Sequence, residues 1–165
     1  MNRALILVVL PFLLAACGEK LNDAQKSGLS LAALSGKEQA AAFDLIKEKI
    51  QPNSEGDALP LKNYLASHGK GLNAQAAGLA DLVKAVQSGS LLSDQTRKML
   101  AEEAKTSAAR ARNFDLARPA FKPDPELAVF LDSHAAALKA QAQAMLDISA
   151  LFPPKPEKSQ APPKG

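Results

Sequence analysis

Two long stretches of the chain repeat an apolar line every seven residues. Leu65, Leu72, Leu79 and Val86 form one line, and Leu61, His68, Gln75 and Leu82 form a second interleaved with it. The pattern returns as Leu131, Leu138, Met145 and Phe152 beside Leu127, His134, Gln141 and Ile148. A seven-residue period holds both lines on one helix face and favours neighbours that cross at a shallow angle. The local signals around these stretches predict four helices. Ser35-Gly36-Lys37-Glu38 fits a capping box, which places a first helix at about 36–50 with Phe43, Ile46 and Ile50 on one stripe. Asp57 and Pro60 suit the start of a second helix, at about 58–88, and Ser88-Gly89 its end. Ser93 or Asp94 caps a third, to about 116, with Met99, Leu100, Ala104, Ala108, Ala111 and Phe114 on its apolar line. Asp124-Pro125-Glu126 opens a fourth, to about 152: a capping acid, a proline whose missing N–H costs nothing, then an acid at the positive end of the helix dipole.

The second and fourth helices contain an internal repeat. LKNYLASHGKGLNAQAAGLADL, at 61–82, and LAVFLDSHAAALKAQAQAMLDI, at 127–148, share nine identities in 22 positions without a gap. Both histidines of the protein occupy the same place in this frame. The preceding helices are expected to start at matching Leu-Ser pairs, 34–35 and 92–93. A duplicated helical hairpin follows, with halves at about 35–88 and 93–152. Two copies are too few for an extended solenoid, so the expected fold is all-α, a closed four-helix bundle.

Composition supports this class. Of 165 residues 47% are apolar but only 4% aromatic, with no Trp and one Tyr, so the core is expected to be close-packed helices rich in Ala and Leu rather than aromatic layers. A formal charge of +3 gives no dense basic stripe with interleaved aromatics, which argues against nucleic acid as a partner. Residues 153–165 hold five prolines in thirteen positions and are expected to form an extended Pro/Lys-rich tail rather than a core element.

The first residues carry a different signal. Arg3 precedes an apolar run over 4–14 that is too short to span a bilayer, and small residues follow it. Leu14-Ala15-Ala16-Cys17 resembles the lipobox of bacterial lipoproteins. The resemblance covers the first 17 residues and implies removal of 1–16, a diacylglycerol thioether on Cys17 and an acyl chain on its amine. Several acyl chains hold a protein stably on a bilayer where one would not. Lipidation also accounts for a single cysteine in an oxidising compartment. Gly18, where an Asp would favour the inner membrane, implies the outer membrane facing the periplasm. Residues 17–34 are then expected to be a lipidated tether and lead-in to a helical domain at 35–152.

The candidate chemistry is sparse. His68 and His134 are the candidate metal ligands, or a switch near neutral pH, if their helices pair. They are a register-fixing polar layer if they serve structure, or partly wet if the seam runs to the bundle rim. Ser67 and Ser133 point about 100° away from the histidines that follow them, so no nucleophile pair forms within a copy. Lys105, Arg110, Arg112 and Arg118 make the end of the third helix basic and are candidates for contact with lipid headgroups, cell-wall polymer or an envelope protein. No catalytic motif is present, and no cofactor is expected beyond the lipid. The expected function is that of a non-enzymatic binding or accessory module of the cell envelope. A protective lipoprotein of the immunity or exclusion type is an alternative, as is a metal or small-ligand carrier using the His and Gln layers.

Overall fold

In a computed structural model, residues 20–87 and 92–154 are described. Cys17, the signal segment, Ser88-Gly89 and most of the proline-rich tail lie outside them. Four α-helices follow in order: α1 (Asp23–Ile46), α2 (Ala58–Gln87), α3 (Asp94–Ala117) and α4 (Pro125–Leu151). Short 3-10 turns at Lys47–Lys49, Glu55–Asp57 and Arg118–Ala120 fill the two hairpin connections. The helices α1 and α2 pack along each other, as do α3 and α4, and α2 on α3 and α4 on α1 close the bundle. The expected all-α bundle of two hairpins is what the chain forms. Every residue of the four seven-residue lines is buried.

The first helix differs from the expectation. It begins at Asp23, not near residue 36, and runs unbroken through Ser35 and Gly36. Asn22 is the cap. Its side chain accepts from the Gln25 N–H at 2.8 Å, and the Gln25 side chain accepts from the Asn22 N–H at 2.9 Å. Ser35 instead accepts a bond from Gln39 one turn on. Two segments fit the capping pattern, and burial decides between them: Leu21, Gln25 and Leu29 pack into the core. The segment expected to be a tether therefore belongs largely to the bundle.

This start corrects the repeat as well. Asn22 matches Ser93, which caps α3 by accepting from the Thr96 N–H. Leu21 and Leu92, each just before a cap, are both buried. The helices α1 and α3 thus correspond at a spacing of 71 residues, with Leu29 on Leu100, Ala40 on Ala111 and Phe43 on Phe114. The helices α2 and α4 correspond at 66, so the hairpin connections differ in length by five residues. Both connections lie at one end of the bundle, where they pair. The Asn53 N–H donates to the Ala120 carbonyl and the Lys122 N–H to the Gln51 carbonyl, each at 2.8 Å. The chain enters at the opposite end, and α1, 24 residues long, carries it about 36 Å to the paired connections.

Candidate functional site

Contrary to the expectation of a core without aromatic layers, one layer is built from rings, one from each helix, because the few aromatic residues gather at this level around the histidines. Phe43 of α1 and Phe114 of α3 stand between His68 of α2 and His134 of α4, with ring centroids 4.7–5.3 Å apart around the square. The histidines meet across the diagonal, Nε2 to Nε2 at 3.1 Å. One imidazole donates and the other accepts, so the pair bonds when both rings are neutral. Tyr64 stacks outside His68, and Phe130 outside His134, at matching places of the repeat. The Tyr64 hydroxyl lies 3.3 Å from His68 Nδ1. With that hydroxyl donating, the His68 proton sits on Nε2 and is donated to His134.

Burial holds both imidazoles neutral. It lowers His68 to about 3, helped by repulsion from His134 and Arg110, and His134 to about 4. Burial likewise raises the Tyr64 hydroxyl above its ordinary range, which keeps its proton in place. The structure thus brings the two candidate ligands together. No group of three or more His, Cys, Asp or Glu is placed to hold a metal ion among the described residues.

The next layer holds the glutamines. Gln75 of α2 donates to the Ser107 hydroxyl of α3 and accepts from the Arg110 Nη1. Gln141 of α4 accepts from Gln39 of α1 at 3.3 Å and donates to the Ala32 carbonyl at 3.4 Å. Each glutamine therefore ties its helix to the other hairpin. Gln39 and Arg110 are equivalent in the repeat, as are Gly36 and Ser107. The absence of a side chain at Gly36 makes room for Gln141, whose Nε2 would lie 3.1 Å from an added Cβ.

The two halves are not alike at the α2–α3 seam. A groove of about 640 Å³ opens there, in the half of the bundle nearest the paired connections. Tyr64, Ser67, His68, Thr106, Arg110 and Asn113 supply its polar lining, and Pro60, Leu61, Leu116, Ala117 and Ala120 its apolar end. At the equivalent α4–α1 seam the repeat puts Phe130 for Tyr64, Ala137 for Gly71, Gln39 for Arg110, Ala42 for Asn113 and Ile46 for Ala117. The groove side thus carries the smaller residue at Gly71 and Ala117 and the hydrogen-bonding residue at Tyr64 and Asn113. The Arg110 guanidinium lies over Gly71, 3.0 Å from where a Cβ would sit. Burial lowers its pKa, against which Glu103 raises it. Glu103 lies over Gly78, its own pKa raised chiefly by burial.

The basic residues at the end of α3 do not form one patch. Arg110 turns into the groove, and Arg118 binds Asp132 of α4 while lying over the Phe121 ring. Lys105 and Arg112 stay exposed. The repeat in α2 and α4 alone does not show that Phe43 and Phe114 meet the histidines, nor does it show the groove. A comparison of the first and third helices at a spacing of 71 would have found the phenylalanine pair.

No known protein family, no curated protein and no solved structure matches the chain.

Proposed function

We propose that this chain is a lipid-anchored protein of the bacterial envelope, attached through Cys17, whose helical bundle is a non-enzymatic binding module. The observation that carries the binding half is the groove at the α2–α3 seam, where the first hairpin meets the second. The equivalent α4–α1 seam carries Phe130, Gln39, Ala42 and Ile46 in place of Tyr64, Arg110, Asn113 and Ala117. A concave site with apolar walls and a few convergent polar groups is the usual form of a ligand pocket. The lipobox-like Leu14-Ala15-Ala16-Cys17 supports the anchor. No helix among the described residues is long and apolar enough to cross a membrane, so a lipid would supply the attachment of this part of the chain. The groove lies toward the end of the bundle opposite the chain's entry, which suits a site presented away from the anchoring membrane. Outer-membrane attachment facing the periplasm follows the Gly18 reading.

Cys17→Ser tests the anchor. Expressed in a two-membrane bacterium, the natural chain is expected in the membrane fraction and labelled by an alkyne-bearing fatty acid. The variant is expected to stay folded, unlabelled and released from membranes. A Cys17→Ser chain that remains membrane-bound contradicts the proposal.

A further inference from the structure

We infer that the α2–α3 groove takes a small amphipathic carboxylate, its acid on Arg110 and its apolar body against Leu61, Leu116 and Ala117. This deepens the binding-module reading and rests on it. Arg110 is the one lining residue of the groove with a full charge at neutral pH. Its Nη1 is engaged by Gln75, and that bond fixes the guanidinium in place. The Nε–Nη2 edge lies over Gly71 with no hydrogen-bond acceptor among the described residues. A planar guanidinium edge suits the two oxygens of a carboxylate. Tyr64, Ser67 and Asn113 place neutral polar groups around it. Glu103, the nearest carboxyl influence on Arg110, helps to hold its charge but makes no hydrogen bond to it and lies outside the lining.

The apolar end lies toward the paired connections. There Ala117 stands where the other half has Ile46, and Ala120 where it has Lys49. Both replacements widen the groove at the place where an apolar body would lie. The other seam has Gln39 in place of Arg110 and Ala137 in place of Gly71, so it lacks the guanidinium and the glycine over which it lies.

The test is an amide-resolved NMR titration of the chain carrying Cys17→Ser, with octanoate as the probe and octanamide as its uncharged partner. Octanoate is expected to shift the Tyr64, Ser67, Arg110 and Asn113 amides saturably. Octanamide is expected to bind at least about tenfold more weakly, the scale of one charge-assisted hydrogen bond. Arg110→Gln, which installs the residue of the other half, should weaken octanoate by about ten- to a hundredfold. Ala117→Ile should weaken both probes by narrowing the apolar end, and it serves if Arg110→Gln fails to fold. Absent octanoate shifts, or unchanged octanoate affinity in either variant, overturn the inference. Equal binding of octanamide removes the carboxylate while leaving the groove as a binding site. Binding of neither probe, with photocrosslinks still formed from the groove rim in cells, also removes this ligand class but not the binding-module reading.

Discussion

Acidification from pH 7 to about 4.5 is expected to unfold the bundle or bring it close to unfolding. In the folded chain His68 titrates at about 3 and His134 at about 4, against an ordinary value of 6.5. The unfolded chain therefore binds more protons through this window. Stability is complete above pH 6.5 and is lost as the pH falls toward the folded values. Each histidine contributes up to about 1.4 kcal/mol per pH unit, so the pair gives several kcal/mol by pH 4.5. Small domains have only about 5–15 kcal/mol in total. The groups packed around the pair offer no compensating anion. Phe43 faces it from α1 and Phe114 from α3, Tyr64 and Phe130 flank it, and the nearby charge is the Arg110 cation, which adds to the penalty. Glu103, with its raised pKa, works in the opposite sense, but it is a single group only partly withdrawn from water. Melting followed by circular dichroism across this range checks the result, and His68→Leu with His134→Leu should remove most of the acid sensitivity. A melting temperature that stays flat from pH 7 to 4.5 contradicts the account.

Phe114→Ala is expected to cost about 3–5 kcal/mol at pH 7, the scale for deleting an enclosed aromatic ring. Phe114 is fully buried and touches both histidines and Phe121. Phe43→Ala, in the matching place of α1, should behave alike. The cavity would also admit water to the imidazoles and bring their pKa values back toward 6.5. Phe114→Ala is therefore expected to be less stable at neutral pH yet less sensitive to acid below it. Urea titrations at pH 7 and pH 5 measure both effects. A loss below about 1 kcal/mol at pH 7 would show that the ring layer does not organise the core.

The sequence reading succeeded where one physical signal dominated. The seven-residue lines of α2 and α4 survive because every position on them faces the core, and Ser93 and Asp124 cap helices as their residue types suggest. It failed at the start of α1 because a capping box is a local pattern, satisfied by Ser35 as well as by Asn22. The choice rests on tertiary burial of Leu21 and Leu29. The repeat in α1 and α3 was hidden by a five-residue difference between the hairpin connections and by divergence at the contacts themselves, where Gly36 meets Gln141 but Ser107 bonds Gln75. The meeting of His68 and His134 is one of several alternatives that the sequence leaves open; their burial excludes a wet rim position and a switch near neutral pH. The hydrogen bond inside an aromatic square depends on Phe43 and Phe114, which the sequence places only on their own helix stripes.

Divergence between the halves also gives the groove its most direct test. Leu116, at the rim, and Leu45, its equivalent on the α4–α1 seam, are both well exposed, at 68% and 79%. A photoreactive amino acid can replace either without disturbing the core. Irradiated in intact cells, the chain labelled at 116 is expected to yield a specific adduct, identified by mass spectrometry, and the chain labelled at 45 none. Equal labelling from both positions, or no adduct from 116, would contradict the claim that the α2–α3 seam is a binding site and its repeat-equivalent is not.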